Sequence, residues 1–397
     1  MKKLHILYLG YVAHQKIFQD LNKEDTDMSV ASHKFETCFI EQLSEILDKS
    51  DSLKMISYLP CNKIKEDYKN ECYCTYEGHE IHYITSERNK FSAVCRAVLV
   101  ARKEICVWMN ETANEERVAI SYATNPILLA AFFSIKNRPP IITICSEVPS
   151  LRIMTNGNNF INHVKKSVFE LFNKKMSGYI FMSRHMNNLC NSENKPWIVV
   201  EGMIEPKENT LEVKCEKESG MVLYAGGLFK EYGIDILLKT AVLLESTGIQ
   251  FVLCGDGNAK TLVEEYEHNC SNVHYLGSKT NQEILILEKK ADLLINPRKP
   301  DNLISKYSFP SKTFEYFASG TPCIMTKLDG IPEEYYGYCY TCDVSTPQTL
   351  AKDIQNFFAI PEELRRKKAE NAFQFLIKEK SAKVQTEKIL GFLKQFN

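Results

Sequence analysis

The chain has 397 residues, 44% hydrophobic and 25% charged, as expected of a soluble globular protein long enough for two or three domains. Its 49 basic and 50 acidic residues give a formal net charge of −1. These values exclude disordered and fibrous classes. They also give no global field that attracts nucleic acid, so any anion site must be local.

The first half of the chain alternates short apolar runs with amphipathic segments. The run over 4–10 is apolar throughout and ends at Gly10, which predicts a buried strand whose exit can approach a ligand or a neighbouring chain. Further strands are predicted at 54–59, 81–84, 118–122, 141–144, 179–182 and 198–200, with helices over 31–49, 91–110, 126–135 and 160–176. This alternation predicts a parallel sheet covered by helices.

Two features of this half are candidates for function. Glu147 follows the strand predicted at 141–144, at a carboxyl end where catalytic groups collect, and a solvated loop acid is the equal alternative. The helix over 160–176 is amphipathic and basic, which fits a core-facing helix better than one lying on an acidic membrane. Its lysines are Lys165, Lys166, Lys174 and Lys175, and its predicted buried face is Ile161, Val164, Val168, Leu171 and Phe172.

A charged, apolar-poor stretch over 206–220 is typical of an interdomain linker. Beyond it, strands are predicted at 221–225, 251–254, 273–276 and 293–295, with helices from 235 and over 259–269, 281–289, 346–358, 361–377 and 381–396. The predicted fold class is α/β, with two Rossmann-like doubly wound parallel-sheet domains facing across a cleft. We place the domains at 1–205 and 221–379, with a C-terminal helix over 380–397 completing the first.

The segment 292–324 has the pattern of strand, loop, helix and strand. Pro310 suits a first helical turn because its missing N–H would have no partner there. Gly320 suits the C-terminal cap because glycine readily adopts positive φ. The sequence therefore predicts a short helix with sharp ends.

On this helix, Ser311, Lys312 and Glu315 fall in one sector and can face a single ligand. A helix start at the carboxyl end of a strand offers N–H groups to phosphate, and a carboxylate one turn further can accept from sugar hydroxyls. The alternative, given equal weight from these residues alone, is an ordinary surface pair of Lys312 and Glu315.

Two pairs of glycines follow strands of the second domain. Gly255 and Gly257 lack the third glycine of a dinucleotide fingerprint, so no nicotinamide or flavin cofactor is expected. Gly226 and Gly227 precede Lys230, where backbone and a lysine can meet a diphosphate. With Arg298 after the strand at 293–295, and with the helix described above, this set suits a ligand with two phosphates and a polyhydroxyl sugar.

Residues 221–326 resemble the nucleotide-sugar half of GT-B glycosyltransferases of the retaining family 4, and 198–204 resembles the hinge strand before it. The similarity is strongest over 308–324, SFPSKTFEYFASGTPCI, which is similar to the variant of bacterial surface-polysaccharide enzymes. The resemblance implies that Glu315 binds the ribose of the nucleotide. It also implies that the backbone around Ser308 and Phe309 lies against the diphosphate and sugar.

The sequence departs from that family at three positions. Tyr307 stands where the family has an acid that contacts the donor sugar, and Gly227 and Tyr232 replace its usual arginine and lysine. The charge of a leaving diphosphate still needs neutralising, whichever residue provides the cation. The cations that this chain offers are Lys230, Arg298 and Lys312.

The resemblance implies a hexosyl- or related transferase that moves a sugar, with retention, from a nucleotide diphosphate sugar to a hydroxyl of a glycan or lipid-linked acceptor. No metal or other cofactor is expected, and bacterial polysaccharide or glycan assembly is the expected setting. The first domain would hold the acceptor, with Gly10 and Glu147 as contributors. Alternatives are a non-catalytic GT-B carbohydrate-binding or complex-forming subunit, and an epimerase that uses His185 and Glu147.

Fourteen cysteines raise the question of disulfides or structural zinc. Cys145, Cys254 and Cys323 lie in apolar runs, where a free thiol behaves as a small hydrophobic side chain. Cys339 and Cys342 form one C-x-x-C spacing with no second pair at zinc-finger spacing.

The first residues have no export signal, so we expect a protein of the reducing cytoplasm, at the inner face of the membrane if the helix over 160–176 contacts lipid.

Overall fold

The computed structural model describes residues 3–23, 30–61, 73–87, 91–146, 148, 160–205, 215–301 and 303–396. The chain divides into two compact units, one of Met1–Met203 with Ala382–Asn397 and one of Ile204–Ser381. Each unit is built on one sheet with helices packed against it, so the expected α/β class is confirmed. None of the helices in the described ranges is long and apolar enough to cross a membrane.

The first unit contains an eight-stranded sheet in the order β3-β4-β2-β1-β5-β6-β7-β8. Its strands are β1 Leu4–Gly10, β2 Ser52–Cys61, β3 Tyr73–Tyr76, β4 His79–Glu87, β5 Glu116–Tyr122, β6 Ile141–Cys145, β7 Gly178–Phe181 and β8 Trp197–Val199. Its helices are α1 Gln15–Lys23, α2 Val30–Ile46, α3 Phe91–Glu111, α4 Pro126–Phe133, α5 Phe160–Lys174 and α6 Met186–Cys190. The edge strand β3 runs antiparallel to β4, whereas the other neighbours are parallel.

Local signals account for α4. Asn125 caps this helix, because its Oδ1 accepts from the N–H groups of Ile127 at 3.0 Å and Leu128 at 3.1 Å. Pro126 occupies the first turn, where a missing N–H costs no hydrogen bond. The predicted start of this helix at residue 126 is therefore confirmed.

Part of the predicted buried face of α5 is wrong. Val168 and Leu171 are 36% and 52% exposed, whereas Phe169 and Phe172 are buried. The ring of Phe172 stacks on Phe133 of α4, with centroids 5.6 Å apart. Packing against α4 thus sets the rotation of the helix, which an amphipathic pattern with two apolar sectors leaves undetermined.

The second unit contains six parallel strands in the order β11-β10-β9-β12-β13-β14. They are β9 Glu218–Ala225, β10 Gln250–Cys254, β11 Val273–Tyr275, β12 Ala291–Asn296, β13 Cys323–Thr326 and β14 Tyr340–Cys342. The helices are α7 Ile234–Leu243, α8 Lys260–Asn269, α9 Asn281–Lys290, α10 Leu303–Tyr307, α11 Lys312–Ser319, α12 Pro347–Ala359 and α13 Glu362–Phe375. The final helix, α14 Ala382–Leu393, belongs to the first unit.

The predicted linker is too long at its C-terminal end. Strand β9 begins at Glu218, inside the range 206–220, of which 206–214 lie outside the described residues. The Gly220 N–H donates to a carboxylate oxygen of Asp292 at 2.7 Å, and Glu218 pairs with Lys290 at 3.1 Å. These contacts with the start of β12 recruit polar residues into the strand, although their composition is that of a linker.

The apolar residues of β9 supply two cores. Val222 and Tyr224 belong to a cluster with α7 and α12, whereas Leu223 and Ala225 belong to one with α11 and α13. Successive side chains of a strand point to opposite faces, so a strand buried on both sides is apolar throughout. The continuous apolar run at 221–225 has this cause.

Strand order places two loops of the second unit side by side. β9 pairs with β10 on one side and with β12 on the other, so the chain leaves β9 at the point where strand order reverses. In open α/β sheets, ligands bind beyond the carboxyl ends of the strands at such a point. The turn after β9 and the segment after β12 are therefore the first places to look for a site.

We predict that Gly233→Ala destabilises the protein more than Gly248→Ala does. Both glycines are left-handed, with φ of 80° and 82°, so each alanine costs about 1–2 kcal/mol. A Cβ on Gly233 would stand 1.9 Å from the carbonyl oxygen of Pro297, whereas one on Gly248 meets nothing within 4 Å. The clash at Gly233 adds about 1–3 kcal/mol. Urea unfolding followed by far-UV circular dichroism measures both losses, and equal losses would contradict the prediction.

Candidate functional site

The glycine turn after β9 is braced by the loop after β10. The N–H of Gly226 donates to the carbonyl of Cys254 at 2.8 Å, and that of Leu228 donates to the carbonyl of Asp256 at 2.9 Å. A Cβ on Gly255 would lie 1.8 Å from the Gly226 carbonyl oxygen. Glycine at position 255 therefore permits the contact between these two loops.

The side chain of Lys312 lies across Gly226. A Cβ at Gly226 would fall 2.0 Å from Cε of Lys312, so the lysine occupies the space that a side chain would take. Its Nζ stands 3.8 Å from Oε2 of Glu315, with the two side chains 23% and 35% exposed. These two residues share one sector of α11, as their spacing predicts. The helix ends at Gly320 with φ of 71°, so the predicted cap is confirmed.

A further lysine in this region, Lys279, was missed by the sequence analysis. Burial raises the pKa of the Cys254 thiol to about 11, and the positive charges of Lys279 and Lys312 oppose that rise. Both lysines thus lie near the end of β10, and Lys279 also stands 3.9 Å from Glu283. The available signal was its place two residues after Gly277, just beyond β11.

Arg298 follows β12 and packs on a tyrosine that comes shortly after the glycine turn. Its guanidinium carbon stands 4.3 Å from the ring centre of Tyr232, and the residue is only 8% exposed. Burial lowers the pKa of Arg298, while Tyr232 and Tyr224 oppose that shift. The Tyr224 hydroxyl in turn donates to the carbonyl of Gly227 at 2.7 Å. The arginine is thereby tied to the glycine turn through two tyrosines.

The segment before α11 is partly helical, where a polar loop was predicted. The five-residue helix α10 ends at Tyr307, and the carbonyl of Ser308 would lie 2.3 Å from a Cβ on Gly330. The ring of Phe309 packs 4.9 Å from that of Phe314. The Phe309 side chain therefore packs against the core. Only the backbone groups of Phe309 can then contact a ligand.

The remaining predicted site residues are Lys230, Ser311 and Glu147. Lys230 is exposed on a single 3-10 turn, and its backbone N–H donates to Oδ1 of Asn258 at 3.3 Å. Within the described ranges, neither a hydrogen bond nor an ion pair joins the Lys230 side chain to the other predicted site residues. Ser311 is exposed and directly precedes α11. Glu147 lies outside the described residues.

The structure thus gathers a glycine turn, cations and a carboxylate at one edge of the second sheet. The glycine turn is Gly226-Gly227, the cations are Lys279, Arg298 and Lys312, and the carboxylate is that of Glu315. Cations suit a diphosphate, and a carboxylate suits the hydroxyls of a ribose or sugar. In the described part of the chain, no three His, Cys, Asp or Glu side chains are grouped as metal ligands would be.

The first unit has its own turn at a strand-order reversal, after β1. A Cβ on Gly10 would fall 2.3 Å from Oε1 of Glu36, which also accepts from the Tyr8 hydroxyl at 2.8 Å and the Tyr11 N–H at 2.8 Å. Burial raises the pKa of Glu36 to about 8, and these two hydrogen bonds oppose the rise. The need for glycine at position 10 is therefore explained by a buried carboxyl group from α2, which sequence reasoning missed.

Comparison with known proteins agrees with this architecture. Residues 207–375, which lie within the second unit, match the model of the family described as "Glycosyl transferases group 1". Comparison with curated protein sequences gives no match.

Three solved structures illustrate the likeness of the whole chain. A glycosyltransferase from Rickettsia africae ESF-5 has a TM-score of 0.66 at 15% identity, over 100% of this chain and 99% of that one. Anabaena Alr3699/HepE in complex with UDP and glucose has 0.59 at 14%, over 99% and 100%. Sucrose-phosphate synthase from Thermosynechococcus elongatus has 0.59 at 13%, over 100% of both chains. At such identity the likeness establishes the fold, and the chain has the GT-B fold of glycosyltransferases.

We predict that the first unit becomes less stable as pH rises from about 4.5 to about 8, and that Glu36→Gln flattens this dependence. In that window native Glu36 keeps a proton that the unfolded chain, with a carboxyl pKa of 4.5, has lost. The free energy of unfolding therefore falls by up to about 1.4 kcal/mol per pH unit, and this contribution is gone above the native pKa. Glutamine keeps the acceptor oxygen and does not titrate.

Urea unfolding at pH 5 to 8 measures this slope. Both tryptophans, Trp108 and Trp197, belong to the first unit, so their fluorescence reports that unit alone. Glu111→Gln, at an exposed glutamate of α3, is the control and should leave the slope unchanged. The prediction is wrong if Glu36→Gln has the slope of the wild type.

Proposed function

We propose that the protein is a glycosyltransferase that moves a sugar from a nucleotide diphosphate sugar to an acceptor hydroxyl, with retention of configuration and without a metal ion. The observation that carries the proposal is the side chain of Lys312 laid across the Gly226 turn, with Glu315 at 3.8 Å. The match of 207–375 to the glycosyl transferases group 1 model supports it. The donor class is supported by the likeness to an Anabaena protein bound to UDP and glucose.

In the proposed mechanism, the second unit stabilises the departing diphosphate. Lys312 and Arg298 neutralise the charge that develops as the bond to the sugar breaks, which lowers the barrier more than equal binding of substrate and transition state would. The Glu315 carboxylate accepts from ribose hydroxyls. The backbone of 307–309 lies against the diphosphate and sugar, with the Tyr307 phenol in place of a carboxylate.

We assign the acceptor to the first unit, at the carboxyl edge of its sheet, and we keep Glu147, which comes two residues after β6 in the sequence, as a contributor. Holding the acceptor hydroxyl close to the anomeric carbon supplies the proximity that transfer needs. A hexosyl or related donor, family 4 membership and a role in bacterial polysaccharide or glycan assembly are proposed on the resemblance of residues 221–326. The acceptor is then a glycan or a lipid-linked saccharide.

A second function is a non-catalytic GT-B subunit that binds carbohydrate or assembles a complex. Two observations favour it: a phenol at Tyr307 and the absence of a side chain at Gly227, both in the region where the donor would bind. Binding of a nucleotide sugar without hydrolysis or transfer distinguishes this subunit from the enzyme.

We predict that Glu315→Ala reduces turnover of the preferred nucleotide sugar by about 10- to 100-fold, the effect of losing a charged hydrogen bond to the ribose. A panel of radiolabelled nucleotide sugars identifies the donor, first by its increase in melting temperature and then by hydrolysis or transfer. Glu333→Ala is the matched control, because Glu333 is also paired with a lysine, Lys327 at 2.7 Å, outside the site. Donor affinity that survives Glu315→Ala would overturn the assigned site.

We also propose a peripheral membrane contact through α5, on the cytoplasmic side. Val168 and Leu171 are exposed apolar side chains on the same helix as Lys166 and Lys174, and Lys175 directly follows. Apolar side chains beside lysines are the pattern of a helix that lies on an anionic lipid surface. Such a contact would bring the protein to a lipid-linked acceptor.

We predict that the protein binds vesicles of phosphatidylglycerol better than vesicles of phosphatidylcholine, and that salt weakens this binding. Lys174→Gln with Lys175→Gln should lower the affinity by about 1 kcal/mol per lysine. Arg366→Gln with Lys367→Gln, at exposed basic residues of α13 in the second unit, is the control. Cosedimentation measures binding, and equal losses in the two double variants would contradict a contact through α5.

A further inference from the structure

Among the described residues, Arg298 is a buried cation without a counter-ion. It is 8% exposed, its Nε has no hydrogen-bond partner, and no carboxylate among the described residues pairs with it. The acidic residue in the first turn of α7, Asp235, is paired instead with Lys299 at 3.0 Å. Burying an unpaired charge costs desolvation free energy. Binding of an anion from outside the chain would offset this cost for the guanidinium of Arg298.

Aromatic rings determine where this guanidinium can point. Arg298 stacks over Tyr232 at 4.3 Å, and the Tyr232 ring meets that of Phe229 edge-on at 5.3 Å. A planar guanidinium on an aromatic face is held in one orientation, with its N–H groups directed in the plane. Tyr232 therefore restricts a side chain that is otherwise flexible.

The same rings explain the glycine at 227. A Cβ there would lie 2.6 Å from a ring carbon of Phe229 and 3.4 Å from one of Tyr232. A side chain at this position would have to displace the Phe229 ring, and the Gly227 carbonyl already accepts from the Tyr224 hydroxyl at 2.7 Å. A cation at this edge of the site must come from another segment, and Arg298 is the arginine that the tyrosines hold beside the turn.

We propose that Arg298 is the fixed cation that binds the terminal phosphate of the nucleoside diphosphate, and that Tyr232 is the positioning residue that orients it by stacking. This inference rests on the proposed function and names the pair that performs its diphosphate step. Lys312 lies over Gly226 and has Glu315 as a neighbour, so its charge is shared, whereas the charge of Arg298 is available in full to the ligand. Two oxygens of one phosphate match two N–H groups of a guanidinium.

The test is the preference of the protein for a nucleoside diphosphate over the matching monophosphate. Calorimetry with UDP, GDP and ADP identifies the nucleotide that the wild type binds. The dissociation constant of the matching monophosphate, divided by that of the diphosphate, then reports the contribution of the terminal phosphate alone. Arg298→Met should reduce this ratio about 10- to 100-fold while the monophosphate constant is unchanged. Tyr232→Leu should reduce it up to about tenfold, and Tyr232→Phe, which keeps the ring, should not.

Arg365→Met is the matched control. Arg365 also lies over an aromatic ring, that of Phe357 at 5.0 Å, and its Nε also lacks a hydrogen-bond partner in the described part of the chain, but it lies on α13. Its loss should leave the ratio unchanged. Affinity for the monophosphate shows that a variant retains a folded site. If Arg298→Met loses that affinity, the comparison of Tyr232→Leu with Tyr232→Phe decides whether the proposed pair binds the terminal phosphate.

The outcomes separate the inference from the proposed function. A wild-type ratio retained in Arg298→Met, or an equal ratio in Tyr232→Leu and Tyr232→Phe, overturns the pair and leaves the proposed function standing. A wild type that binds no nucleoside diphosphate overturns both. A ratio that falls in Arg298→Met and Tyr232→Leu but not in Tyr232→Phe or Arg365→Met establishes the pair.

Discussion

The site of the second unit depends on close backbone approach at the carboxyl ends of β9 and β10. The carbonyl of Gly226 lies where a Cβ of Gly255 would be, and Lys312 lies where a Cβ of Gly226 would be. Neither contact is available to a residue with a side chain. The two glycines thus allow the loop after β10, the turn after β9 and helix α11 to come into contact in a space that side chains would otherwise fill. This contact places Lys312 beside the glycine turn.

Charge in this site is distributed unevenly, and that unevenness gives the residues their proposed roles. Lys312 has a carboxylate neighbour and partial access to solvent, so the charge of its ammonium group is stabilised with or without a ligand. Arg298 is buried over the Tyr232 ring and no carboxylate among the described residues pairs with it, so it gains most when an anion binds. The same reasoning applies to Glu36 in the first unit, where burial, with no cation paired to it among the described residues, raises the pKa of the carboxyl to about 8.

Much of the architecture follows from local patterns. Apolar runs predicted most of the strands, because a strand buried on both faces must be apolar throughout. The glycine at position 320 predicted a helix end, since a residue with positive φ there satisfies backbone groups within a few residues. The short helix Leu303–Tyr307 and the edge strand Tyr73–Tyr76 were missed, because both are too short to show a period.

The sequence by itself determined the α/β class, the chain order of most of the longer elements, and the sector that Lys312 shares with Glu315, since each follows from local patterns along the chain. Only the tertiary structure decided that Arg298 stacks on Tyr232 and that Glu36 lies beneath Gly10. These partners are far apart in the chain, and they meet because β12 lies beside β9 and because α2 packs close to the end of β1. Periodicity and capping carry no information about which strands become neighbours, so such contacts cannot be obtained from local patterns.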